Sequence, residues 1–301
     1  MKSVYKNKTS SYTFIGEAMK RTFQVIGIIA LLIGSFMYTE EVGTTAKLSD
    51  ELLNEIKTKS PEYKTKPIEA TIKGNTIIPG ISGKEVDVKK SYKKMKQIGY
   101  FNDKLLVYKN IPVKEGLKNN TDKYIISGNP NEKNVSLIFK VDNHTDINEV
   151  IGILDNHKIK ATFYITSKYL EQNHNLIIRL LQKGHTIGNL SNNEDYSDSD
   201  FVWMKTIITS AATQKYNYCY TEKPDKDILK ICDLQNSYTI IPTKVVDKRP
   251  FITVKQSLAP GAIISLNVNS ELKGELENII NYITSKGYSI KPLEKQLSKG
   301  I

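Results

Sequence analysis

From Val135 onward the sequence alternates short β-rich runs with amphipathic helical stretches, and this alternation limits the fold more than any other feature. VSLIF (135–139) is a β-rich run, and Ile147, Val150, Ile151 and Leu154 then recur at helical spacing behind Thr145 and Asp146, which are suited to cap a helix. ATFYIT (161–166) predicts a second strand. Leu176, Ile177, Leu180 and Leu181 predict a helix stopped at Gly184, and HTIGNL (185–190) a third strand. Met204, Ile207, Ile208 and Ala211 mark the next helix, followed by the strand YNYCYT (216–221). Ile228, Leu229 and Cys232 form a helix face, SYTIIPT (237–243) a strand, and GAIISLNV (261–268) a buried strand. Leu272, Leu276, Ile279, Ile280 and Ile283 close the series before Gly287. Repeated β-α-β units argue for a parallel sheet, and so many in one domain predict a barrel. In such barrels the chemistry sits at the C-terminal strand ends.

The N-terminal part carries an address. Thr22 to Thr39 holds no charged residue and is strongly apolar. As a helix it would extend about 27 Å, near the thickness of a bilayer core. Lys2, Lys6, Lys8, Lys20 and Arg21 precede it, opposed only by Glu17, while Glu40 and Glu41 follow. The charge asymmetry predicts residues 1–21 in the cytoplasm, a transmembrane anchor over 22–39, and an extracytoplasmic remainder. A cleaved signal peptide is the competing reading, but the small-residue stretch ending at Ala46 lies well beyond the apolar run. Residues 1–39 carry five positive charges and one negative, so the outer part keeps a net +7 of the formal +11. That surplus reads first as a solvated lysine face and second as attraction to an anionic wall polymer. The address argues against nucleic acid.

Residues 40–132 read as a loop-rich module with a few strands, its short apolar runs including NTIIPGISG (75–83). A short helix carries Leu52, Leu53 and Ile56 behind Ser49, and a second helix lies around Ser91–Gln97. Nothing in the pattern of this module names a function. Cys219 and Cys232 match no metal-binding spacing; outside the cell they could pair, or remain as buried free thiols.

The segments VSLIFKVDN, ILDNHKIKATFYIT, LIIRLLQKGHTIGNLS, PGAIISLN and GYSI together resemble the polysaccharide deacetylase family. These are the NodB-homology domains of carbohydrate esterase family four, and the likeness covers about residues 133–298. The resemblance implies an α/β fold over 133–301, a distorted (β/α) barrel with fewer than eight repeats. It also implies a chemistry. One Asp and two His hold a divalent metal, commonly zinc, whose bound water attacks an N-acetyl carbonyl; zinc lowers the pKa of that water to about 7.

Position by position, that chemistry is replaced. Phe139 matches the family's phenylalanine, but Lys140 stands where the resemblance puts the catalytic-base Asp and Val141 where it puts the metal-binding Asp. In GHTIGNLSNNE, His185 and Asn189 keep the frame, while Leu190 and Glu194 occupy the two ligand-His positions. The family's Arg-x-Pro loop falls near Asn217–Tyr220, which has no Arg, and its last-strand His aligns with Asn267. Asp142 and Ser191 complete the candidate ligand pocket with Lys140, Val141, Asn189, Leu190, Glu194 and Asn267. Leu and Val cannot ligate a metal, and Lys brings a positive charge to a cation's place.

The residues that survive the comparison have modest roles. His185 reads as structural, Asn189 as a partner of backbone groups near the strand end, and His157 and His174 as surface residues. Lys140 is expected to pair with Glu194 across the barrel mouth, each keeping the other ionised. The sequence thus predicts a membrane-anchored, catalytically silent deacetylase-like protein that binds cell-wall glycan, an anionic wall polymer or a wall-processing protein, without a cofactor. The alternative is an active zinc- or other divalent-metal-dependent N-deacetylase of peptidoglycan or a related polysaccharide, with Asp142, His144 and Glu194 rebuilding the site. A third reading makes residues 48–130 the interaction surface of an assembly factor.

Overall fold

The computed structural model of the chain describes residues 23–35, 51–192, 195–196, 198–211, 214–215 and 217–301. Two compact units result: residues 1–64 with 85–109, and residues 65–84 with 110–301. The expected boundary after residue 132 does not coincide with this division, because residues 65–84 and 110–132 fold with the deacetylase-like part.

In the first unit, residues 23–35 form helix α1, about 20 Å long at 1.5 Å per residue. Its side chains, Phe23 and Leu31 among them, are exposed. No helix among the described residues is long and apolar enough to cross a membrane. Residues 22 and 36–39 of the expected span lie outside the described ones. Helix α2 (Glu51–Lys59) and helix α3 (Val88–Met95) pack together through Leu53, Ile56, Tyr92 and Met95, joined by Val86 and Leu106. Asp87 caps α3 by accepting from the Lys90 N–H. Both predicted helices are present.

The second unit is built on a parallel sheet. Its strands are β1 (Thr71–Lys73) and β2 (Thr76–Ile78), then β5 (Tyr124–Ile125), β6 (Asn134–Val141), β7 (Thr162–Ile165) and β8 (Thr186–Asn189); β3 (Gly83–Val86) and β4 (Tyr108–Ile111) form a separate pair. The series continues with β9 (Tyr218–Tyr220), β10 (Tyr238–Ile240), β11 (Lys244–Val246), β12 (Ile263–Asn267) and β13 (Ser289–Ile290). The order is β1-β2-β5-β10-β9-β8-β7-β6-β12-β11, with β13 also on β6, and only β1–β2 is antiparallel among these pairings. Strands β1 and β11 are the two ends of that path, so the expected distorted barrel is realised as a curled half-barrel. Strands β1, β2 and β5, assigned by sequence to the loop-rich module, extend it.

Helices α4 (Asn148–Asn156), α5 (Ser167–Gln172), α6 (His174–Gln182), α7 (Asp198–Ser210), α8 (Lys226–Leu234), α9 (Pro250–Ser257), α10 (Ser270–Ser285) and α11 (Leu293–Leu297) follow the strands. The alternation of side chains decides what each face of the sheet meets. Val135, Leu137, Phe139 and Val141 of β6 join α4, α6 and α10 in the larger core, while Ile138 faces a second core with Tyr164, Tyr218, Ile240, Leu293 and Leu297. Helix α11 seals the start of that second face: the Leu293 and Glu294 N–H groups donate to the hydroxyls of Thr162 and Thr186 at 2.9 and 3.3 Å. Two of the donors every helix start leaves over are thereby satisfied. Gly184 and Gly287 stop α6 and α10 at φ +87° and +78°, as expected from their places in the sequence.

Cys219 of β9 and Cys232 of α8 form a disulfide and are fully buried beside Tyr196 and Phe201. The bridge closes a loop with a sequence separation of 13 residues. Constraining a loop of that size in the unfolded chain is worth about 3 kcal/mol. Cys219→Ala/Cys232→Ala is therefore expected to lower the unfolding free energy by about that amount, read as a lower urea midpoint, and an unchanged midpoint would count against the bridge.

Candidate functional site

Sheet register brings the candidate residues to the C-terminal ends of the central strands. Asn267 of β12, Lys140 of β6, Tyr164 of β7 and Gly188 of β8 lie side by side in one row, on the face lined by the smaller core. Each strand end contributes one member because parallel strands present equivalent positions at the same height. Lys140 alone in this row carries a charge. Its Nζ lies 3.3 Å from Glu222 Oε1 and 5.2 Å from the Tyr220 ring centroid. The Tyr220 hydroxyl shares a hydrogen bond with Ser265 Oγ at 3.0 Å and donates to Glu222 Oε1 at 3.4 Å. The ammonium is thus held by a carboxylate and an aromatic face, with a fifth of its side chain exposed.

The core on this face of the sheet is closely packed. The rings of Tyr164 and Tyr220 sit 5.2 Å apart at 55°, both fully buried, and Tyr164 donates to the Cys219 carbonyl at 3.1 Å. Leu190 is fully buried in the same cluster. Gly188 makes room for this packing: a Cβ there would stand 2.3 Å from the Tyr164 ring. Burial holds the Tyr164 hydroxyl well above the ordinary tyrosine range, so it acts as a neutral donor.

The remaining candidates fall elsewhere. Val141 is buried in the helix-side core, on the opposite face from Lys140. Asn189 also has the opposite parity; its Oδ1 accepts from the Ser191 N–H at 2.7 Å and its Nδ2 donates to the Phe201 carbonyl at 3.4 Å. This is the backbone-pairing role expected of it. Ser191 completes the turn at φ +48°, and its carbonyl accepts from Ser167 N–H at 2.8 Å. Asp142 is exposed and folds its own loop, accepting from Thr145 Oγ1 at 2.6 Å and from the His144 N–H at 2.9 Å. Those bonds, the threonine hydroxyl first, hold its carboxyl below the usual range. The loop borders an open depression of about 630 Å³ shared with Glu149, Asn269 and Lys273. Glu194, and with it the expected pairing to Lys140, lies outside the described residues.

Asn267 donates to Asp247 Oδ1 at 2.5 Å, just beyond β11. Sequence reasoning missed Asp247, Glu222, Tyr164 and Tyr220. The rule that chemistry gathers at C-terminal strand ends could have found Glu222, which stands two residues past β9.

His185 behaves as the structural residue it was expected to be. It is buried against Phe163, and its Nδ1 accepts from the Ala161 N–H at 3.2 Å. The ring is therefore neutral and carries its proton on Nε2. Burial, aided by nearby Lys160, pushes its pKa down to about 4.

The donor set does not suit a divalent ion at the place the resemblance assigns. Val141 and Leu190 have no donor atom, Lys140 brings a like charge, and no group of three His, Cys, Asp or Glu residues that could hold a metal occurs among the described residues. His144 and Asp142 are both exposed, and they share the loop without a third such ligand among those residues.

Comparison with known proteins agrees with this frame. The sequence model of the polysaccharide deacetylase family matches residues 127–242. The Bacillus subtilis (strain 168) protein YlxY, itself uncharacterized, is 30% identical over 277 residues, covering 84% of this chain and 85% of YlxY. The chain belongs to the polysaccharide deacetylase family. Among solved structures, wild-type BA3943 of Bacillus anthracis, a CE4 family pseudoenzyme, aligns at a TM-score of 0.61 and 25% identity, over 83% of this chain and 95% of that one. The family 4 carbohydrate esterase PdaA of Bacillus subtilis shares the fold at a TM-score of 0.52 and 19% identity, over 60% of this chain and 87% of PdaA. This member of the deacetylase family therefore has a pseudoenzyme among its structural neighbours.

Two outcomes follow from this geometry. Gly188→Ala should destabilise the protein by about 1–3 kcal/mol through overpacking. The loss should shrink in a Tyr164→Val background; equal losses in both backgrounds, measured by urea denaturation, would show that the ring is not the obstacle. For His185, the folded pKa lies below the unfolded value of about 6.5. Its contribution is complete above that value and is lost as pH falls through about 4. The stability advantage of wild type over His185→Asn should therefore shrink across that window, and a constant difference would refute the assignment.

Proposed function

We propose that this protein is a catalytically silent member of its family, carried on the outer face of the membrane, where it binds cell-wall glycan or a protein that processes it. One observation carries the reading: the Lys140 ammonium, at the end of β6, is paired with Glu222 and set over the Tyr220 ring, and Leu190 is wholly buried in the same core as Tyr164. The resemblance would need a carboxylate at the first of these positions and a histidine at the second. On this reading a water at the mouth would lack a Lewis acid to lower its pKa, and a lysine paired with Glu222 would stand in place of the carboxylate that accepts the proton.

The likeness to BA3943, a pseudoenzyme at 25% identity, supports the same reading. The address is read from residues 22–39 and the lysines before them, with the N-terminus in the cytoplasm. The buried disulfide supports it, because such bonds persist in oxidising compartments. An N-acetylated glycan is the ligand class the family suggests.

Purified full-length protein, loaded with zinc and passed through desalting, is expected to retain no stoichiometric metal and to release no acetate from N-acetylglucosamine oligomers. Stoichiometric zinc together with acetate release would sink the proposal. As a positive control, a zinc-binding member of the family handled in the same way should retain the metal and release acetate.

A further inference from the structure

We infer that the lysine face of α3, with Ile98 and Tyr100 beside it, docks on an anionic lipid surface. The orientation of α3 is fixed by its buried side, where Ser91, Tyr92 and Met95 face the small core of the first unit. Apart from Val88, which packs partly buried against the same core, the rest of the helix is basic. Lys89, Lys90, Lys93, Lys94 and Lys96 are all exposed, and Lys89, Lys93 and Lys96 line one flank at i, i+4 and i+7.

Such a row is self-repelling, since like charges four residues apart weaken a helix. Only limited compensation is present. Asp87 at the cap reaches Lys90 at 3.5 Å, and Lys96 lies over the Tyr92 ring at 5.7 Å. Lys89, Lys93 and Lys94 form no ion pair among the described residues. Elsewhere the chain interleaves its charges: Lys160 and Lys183 share Asp155, and Lys64 and Lys109 share Glu85.

A solvated lysine face alone would need no partner. The second observation is that the chain leaves α3 through a turn at Gly99, φ +77°, which stands Ile98 and Tyr100 in water at 40% and 61% exposure. Soluble polyanions attract the ammonium groups and gain little from an aliphatic and an aromatic neighbour. A headgroup layer accommodates both, with phosphates at the lysines and the amphipathic ring and isoleucine at the interface. Proximity would come from the anchor proposed above: Glu51 follows Thr39 by twelve residues, a tether of at most about 43 Å. The inference rests on that anchoring for its effective concentration and not for its chemistry.

Lysine footprinting of the full chain, reconstituted on phosphatidylcholine vesicles with or without phosphatidylglycerol, tests it. Labelling of Lys89, Lys93 and Lys96 should fall severalfold on the anionic vesicles and recover in high salt, while Lys248 and Lys255 stay unchanged. Lys93→Gln should weaken the contact about fivefold, and Ile98→Ser/Tyr100→Ser should weaken it without altering charge. Equal labelling on both vesicles overturns the inference. So does protection by inorganic polyphosphate but not by phosphatidylglycerol, which would assign the face to a soluble polyanion. Flotation with the neutral vesicles reports the 22–39 anchor separately, so its failure would remove the anchor and leave the footprint comparison standing.

Discussion

Strand β6 hydrogen-bonds to β7 on one side and to β12 on the other, and its two faces are buried in different cores. Every backbone donor and acceptor along such a strand must be satisfied within the sheet, because water cannot reach it. The run NVSLIFKV is apolar or small at each position except Asn134 at its start and Lys140, the last but one. Lys140 is tolerated because it stands at the strand's exit, where its ammonium lies over the Tyr220 ring and reaches Glu222. The mouth of the half-barrel is therefore defined by where burial of β6 ends.

At this position the Lys140 ammonium needs a counter-charge, and Glu222 supplies it from the exit of β9, three strands from β6 in the sheet order. Tyr220 braces both, through its ring on Lys140 and its hydroxyl on Ser265. Gly188 leaves the room in which the Tyr164 ring packs. What results is a packed and internally paired surface.

Much of this architecture was legible from periodicity. The strands at 134–141, 162–165, 186–189 and 263–267 and the helix at 270–285 are long or fully buried, so their patterns are strong. Weak elements were missed for physical reasons. Strand β11 has three residues with one exposed and one half-buried, and α9 opens with a positive-φ Arg249 before Pro250, which gives no capping signal. Strands β1 and β2 were legible only as a few unplaced strands of the loop-rich module, because β1 is wholly exposed and three residues per strand carry no period. Of the candidate residues, Lys140 and Asn267 stand at neighbouring strand ends and Leu190 in the smaller core, while Val141 faces the other core; Glu222 and Asp247 come from loops whose spatial neighbours no spacing reveals.

The disulfide shows the same division between local pattern and spatial fact. Cys219 faces away from the tyrosine cluster because it alternates with Tyr218 and Tyr220 on β9, which puts its sulfur on the helix side. The helix α8 that follows presents Cys232 and Leu229 inward, capped by Asp225 at its start. Given a strand and the helix that crosses over it, the two sulfurs have no other partner and little choice of place. The bridge thus pins α8 to the same strand that positions Tyr220. It ties the stability of the half-barrel to the side chain that holds Lys140.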